Sequence, residues 1–143
     1  WGGKNNQKKK KKKKKKQKPQ KKKGAHNKKP HKKKKNKPQD CPEKNQPFGT
    51  KAKQFTSDQI YLKTIKYVVT DTDRYGRSIA MIYYDSDNKY LSAELIKAGM
   101  GWHYKRYSTS KELALFEDNA KKNKIGLWVD NNPINPSEWR AKQ

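Results

Sequence analysis

The feature that most constrains this chain is its first quarter. From Lys4 to Pro38 it is lysine broken by Gln, Asn, Pro, Gly, a lone Ala25 and two His residues, with no apolar periodicity of either 2 or 3.6. Such a stretch cannot bury enough apolar surface to offset the entropy lost on ordering it. Residues 1–39 hold 21 Lys and no Asp, Glu or Arg, which leaves 17 basic against 13 acidic residues for 40–143. Of the formal net charge of +25, the second part therefore carries only +4, the balance of an ordinary, mildly basic domain. A charge of this size attracts an anionic partner or a membrane surface at long range, and a lysine run also occurs simply as a solvated tail. Both readings stay open on the sequence.

Length and residue types narrow the classes further. The 143 residues make room for one domain, and an apolar fraction of 29% fits a small core confined to part of the chain. One cysteine, Cys41, excludes an intramolecular disulfide framework and a paired-cysteine metal site. His26 and His31 lie in the basic stretch and His103 stands alone, so no zinc-type spacing exists. No apolar run approaches the ~18 residues of a membrane span, and no apolar segment follows the basic N-terminus as a secretory signal requires. A chain opening on Trp1 is compatible with a processed or trimmed piece.

Composition shifts sharply at Asp40-Cys41-Pro42-Glu43. Ala52, Phe55 and Ile60 form a partial apolar stripe, predicting a helix from Thr50 to about Ile60. Two runs rich in β-branched and aromatic residues, Thr64–Thr70 and Ser78–Tyr84, flank turn chemistry at Asp71–Arg77 and predict a β-hairpin. A short strand is expected to end near Leu91. Ser92 then reads as the cap of a helix running through Ala93, Leu95, Ile96 and Ala98 to Gly99. Thr109 and Glu112 read as a capping box for a third helix, with Leu113, Phe116 and Ala120 on one face and Gly126 as its stop. Trp128, Pro133, Pro136 and Trp139 read as an irregular tail whose indoles pack back on the domain as core plugs.

Read in order, Asp40-Cys41-Pro42-Glu43, Gln46-Pro47-Phe48-Gly49-Thr50-Lys51-Ala52, Asp73-Arg74-Tyr75-Gly76-Arg77, Glu94-Leu95-Ile96-Lys97-Ala98-Gly99-Met100 and Gly126-Leu127-Trp128 resemble the signature blocks of the staphylococcal-type thermonuclease family. The resemblance implies an α+β fold, an OB-type five-stranded β-barrel with three α-helices, that hydrolyses phosphodiester bonds of DNA and RNA with one calcium ion. By the same resemblance Asp40 is a calcium ligand through its carboxylate and Cys41 one through its backbone carbonyl. Glu43 is the general base for water, and Arg77 hydrogen-bonds the phosphate as charge builds on it. Hard cations take oxygen ligands, a carboxylate three residues along the same loop can reach a water, and the arginine fork fits two phosphate oxygens. Arg74 and Tyr75 resemble the nucleotide-contacting pair, and Tyr104 and Tyr107 the tyrosines beside the bound nucleotide. Aromatic platforms next to basic side chains are what single-strand binding needs. The implied partners are single-stranded DNA and RNA, with no membrane and a monomeric state, and the implied location is secreted or periplasmic.

Residues 1–39 depart from that pattern. They form a lysine-rich segment in the place of the family's first barrel strands, ahead of a thermonuclease-like domain at 40–143. The resemblance calls there for about three strands, a second calcium-ligating aspartate and a second phosphate-binding arginine, and the segment has neither residue type. Lysine replaces neither, being a charged donor without a planar fork. Three origins fit: a basic tail on a truncated domain, a shifted reading frame upstream of Asp40, or residue identities assigned by default. The function alternatives to a nuclease are a silent nucleic-acid-binding module and a fragment that does not fold alone.

Overall fold

The computed structural model describes residues 37–143, so the expectation for the lysine-rich segment lies, but for its last three residues, outside the described residues. The elements are β1 (Gln39–Asp40), α1 (Gly49–Ile60), β2 (Ile65–Thr72), β3 (Ser78–Tyr84), β4 (Lys89–Tyr90), α2 (Leu91–Lys97), β5 (Trp102–His103), α3 (Lys111–Lys122), a 3-10 turn at Gly126–Val129 and α4 (Pro136–Ala141). This is an α+β fold with five strands in two antiparallel sheets, β2-β3-β4 and β1-β5. Among the described residues the strands do not close a barrel.

The expected hairpin is the long β2–β3 ladder, registered from Ile65 opposite Tyr84 to Thr72 opposite Ser78, with a bulge between Val69 and Asp71. Its turn is built by Asp73. The Asp73 carboxylate accepts the Tyr75 and Arg77 backbone N–H groups at 2.8 and 2.9 Å, while Gly76 takes φ +80°, where a side chain would be strained. Among the described residues β2 is one edge of its sheet, and Tyr67, Val68 and Val69 are exposed along it.

The core lies where β3 meets the helices. Tyr84, Leu91 and Leu95 are buried together against Phe55, Ile60, Ile82, Met100 and Cys41. Ala93, Ile96 and Leu113 join α2 to α3, and Ala120, Leu127 and Trp128 close the far side with Phe48 and Trp102. Each fully buried large apolar side chain contributes roughly 1.5–3 kcal/mol. Trp128 is a core residue, as expected, edge-on to Trp102 with ring centroids 4.4 Å apart.

Three local expectations are corrected. Ser92 is not a cap: α2 begins one residue earlier, after Tyr90, which is extended and offers no side-chain cap. The cap of α3 is Ser110, not Thr109; its Oγ accepts from Leu113 N at 3.2 Å, and the helix ends at Lys122, with Asn123 rather than Gly126 at its boundary. The tail is not irregular throughout. Asn135 accepts from Ser137 N at 2.9 Å and Pro136 takes the first turn, which starts the short helix α4.

Candidate functional site

The loop from Asp40 to Gly49 is fastened at both ends. At its start, β1 pairs with β5, Gln39 opposite His103 and Asp40 opposite Trp102, and Tyr104 N donates to Pro38 O at 3.0 Å. β5 is held in turn by α3: the buried Glu117 accepts the His103 backbone N–H at 2.6 Å and the Lys121 ammonium at 2.7 Å. At the loop's end, buried Gln46 accepts from Glu43 N at 3.1 Å and donates to Ile134 O at 2.5 Å. Gly49 is required there because a Cβ on it would lie 1.9 Å from Glu43 O. The residues around Glu43 are thus held by the β1–β5 pairing, by the Gln46 side chain and by the close approach of Gly49.

Six of the eight residues singled out from the sequence, Glu43, Arg74, Tyr75, Arg77, Tyr104 and Tyr107, line one open cleft of about 610 Å³, together with Lys37, Asp73 and Arg140. Two guanidinium groups approach the Tyr75 ring, Arg74 at 4.7 Å and Arg77 at 5.3 Å from its centre. Arg77 is largely exposed, and its Nε donates to Asp73 Oδ2 at 2.6 Å, which leaves its terminal nitrogens toward solvent. Bonds from Arg77, its backbone N–H foremost, hold the Asp73 carboxyl below the ordinary carboxylate range. Across the cleft Tyr104 and Tyr107 meet edge to face at 4.9 Å, with Lys37 over the first ring and Arg106 over the second. The cleft combines positive charge, aromatic faces and one half-exposed carboxylate, Glu43.

Asp40 and Cys41 sit behind this surface. Asp40 is 4% exposed, and both its oxygens are engaged: Oδ2 accepts from Arg140 Nη2 at 2.6 Å, and Oδ1 accepts from Arg140 Nη1 at 3.3 Å and from Lys37 Nζ at 3.2 Å. Arg140 Nη1 also donates to Glu43 Oε1 at 2.7 Å. These bonds, the one to Asp40 foremost, push the guanidinium pKa further up, so Arg140 is a permanent cation. Cys41 Sγ donates to Gln39 Oε1 at 2.9 Å; burial, reinforced by Asp40, pushes the thiol up to about 12, so it is protonated at neutral pH.

The sequence reading missed Arg140, which lies 100 residues from Asp40. The signal that could have found it is Asn135-Pro136 as a helix start, placing Arg140 at the helix's last turn.

The oxygen donors of Asp40, Glu43 and the Cys41 carbonyl have the chemistry a calcium ion prefers. The described residues do not by themselves complete a site for one. Among the described residues no group of three or more His, Cys, Asp or Glu side chains converges. The two carboxylates already face two cations, so the cluster is neutral, and Arg140 occupies the space between them. No helix of the described residues is long and apolar enough to cross a membrane.

Comparison with known proteins identifies the family. The chain is 43% identical over 104 residues to an uncharacterized endonuclease of Haemophilus influenzae, covering 73% of this chain and 57% of that protein. It is 37% identical over 104 residues to a staphylococcal-like nuclease of Arabidopsis thaliana, covering 73% of this chain and 32% of that protein. An uncharacterized endonuclease of Escherichia coli is 31% identical over 104 residues. The chain spans between about a third and a little over half of the length of the first two relatives. The family model described as staphylococcal nuclease homologue matches residues 26–130, and the chain belongs to that family.

Proposed function

We propose that this chain is a nuclease domain that hydrolyses phosphodiester bonds of DNA and RNA, taking single strands into the cleft between the Asp73–Arg77 turn and the Tyr104–Tyr107 segment. The observation that carries the reading is the convergence of Glu43, Arg74, Tyr75, Arg77, Tyr104 and Tyr107, drawn from three separated stretches of sequence, on that one surface. Glu43 Oε1 is held by Arg140, which leaves Oε2 to take a proton from an attacking water. Arg77 presents two Nη groups, without an acceptor among the described residues, where negative charge accumulates on phosphorus-bound oxygens, an interaction worth roughly 10²–10³ in rate. Tyr75, Tyr104 and Tyr107 supply stacking faces, at ~1–3 kcal/mol per base. The OB-type barrel, the monomeric state and a location outside the cytoplasm rest on family membership, and the division of the chain at residue 40 rests on the shift of composition there.

Calcium dependence rests on the same footing, and no step above is routed through the ion. A second reading, a nucleic-acid-binding module that does not cut, is favoured by one observation: Asp40 is buried with both oxygens committed to Arg140 and Lys37. Release of acid-soluble nucleotides from heat-denatured DNA, with calcium and with chelator, separates the two. Calcium-dependent release supports the nuclease; tight binding without release in either condition supports the module.

A further inference from the structure

Arg140 lies outside every motif that points to nuclease chemistry, yet it lines, from α4, the same cleft as Arg77. A guanidinium carries five N–H donors in one plane. Three of them have acceptors here: Nη1 donates to Asp40 Oδ1 and to Glu43 Oε1, and Nη2 to Asp40 Oδ2. Asp40 therefore grips the end of the fork. The remaining edge, Nε–H and the second Nη2–H, has no acceptor among the described residues, and the side chain is 39% exposed.

A fork gripped on one edge has its other edge oriented in advance, so it forms a two-point contact with little further loss of rotamer freedom. The cleft that Arg140 lines together with Arg77 carries basic and aromatic groups, and a phosphodiester group matches the fork's geometry. We propose that Arg140 is a second phosphate-contacting residue of the cleft, binding two oxygens of a backbone phosphate through Nε–H and Nη2–H while Asp40 fixes its orientation. The inference rests on the cleft being the nucleic-acid site. The contact adds direction rather than net charge, because Asp40 and Glu43 neutralise much of the guanidinium's field.

The test uses the full chain, a thymidylate trinucleotide and the same trinucleotide with an uncharged methylphosphonate backbone. Chelator is included against any metal-dependent turnover, and about 0.3 M salt screens long-range attraction by the lysine segment. Affinity is read from the Tyr75 and Arg77 amide resonances, and folding from thermal melting. Arg140→Lys keeps the charge and removes the fork; it should lose roughly tenfold affinity for the phosphodiester and less than twofold for the neutral backbone. Arg140→Gln should lose at least as much on the phosphodiester. Parent-like affinity of Arg140→Lys on both probes, or equal losses on both, overturns the proposal, the latter by assigning Arg140 a purely structural role. If either variant fails to fold, the other decides by the same comparison. A parent chain that leaves the Tyr75 and Arg77 resonances unmoved by the phosphodiester would instead overturn the assignment of the cleft.

Discussion

Glu117 is the residue through which helix α3 sets the position of the Asp40 loop, and its replacement should be felt in both stability and binding. It is 1% exposed, and its carboxylate accepts the His103 backbone N–H in the strand that pairs with Asp40. In Glu117→Ala that buried donor loses its partner, at about 1–3 kcal/mol. The lost bond to the partly exposed Lys121 adds only about 0.5 kcal/mol after solvent screening. With the small void left behind, the total is about 2–4 kcal/mol. Glu117→Gln keeps an oxygen for the His103 N–H and should cost about 1 kcal/mol or less. In a domain of this size each kcal/mol moves Tm by roughly 4–8 °C, so alanine should lower it by on the order of 10–20 °C and glutamine by less than about 8 °C. Thermal melts followed by fluorescence of Trp102 and Trp128 would read the difference. Equal shifts for the two variants, or an alanine shift under about 2 °C, would refute the argument that Glu117 acts by holding the His103 N–H.

Other consequences are equally specific. Gly49→Ala forces a methyl against Glu43 O and should cost at least ~3 kcal/mol and displace Glu43, whereas Gly76→Ala, strained only by its φ of +80° with open space around it, should cost about 1–2 kcal/mol; urea titration distinguishes them. Cys41, pushed up to about 12 from an ordinary 9.0, should react with iodoacetamide at pH 8 roughly a thousandfold more slowly in the folded chain than in urea; equal rates would remove the burial argument. Burial lowers the His103 pKa below its ordinary 6.5, so the unfolded chain binds its proton first on acidification. The stabilisation is complete above about pH 6.5 and is lost as pH falls toward the lowered folded value, a slope that His103→Gln should flatten in denaturation curves.

How much of this could be read from the sequence depended on the range of the interactions. The β2–β3 hairpin and the α1 and α3 helices announce themselves through local periodicity and turn chemistry, because Ile82, Phe55 and Leu113 each face a core their own segment helps to build. Strands β1 and β5 are two residues long and carry no pattern; they exist because Glu117 and the core position them. The Asp40–Arg140 contact spans 100 residues and cannot be seen in any window. The prolines around α4 masked a helix whose start they assist. The cleft residues were readable only as ordered blocks, since Asp73-Arg74-Tyr75-Gly76-Arg77 alone specifies no more than a tight turn.

The central claim is that Glu43 and Arg77 act on a phosphodiester held in this cleft. Single-turnover cleavage of a single-stranded oligonucleotide by the parent, Glu43→Gln and Arg77→Gln, with affinity measured separately for each, tests it most directly. The account predicts cleavage by the parent, a fall of at least ~10² in rate for each variant, and near-parent affinity for Glu43→Gln. A parent that binds without cutting, or a Glu43→Gln variant that cuts at the parent's rate, would contradict it.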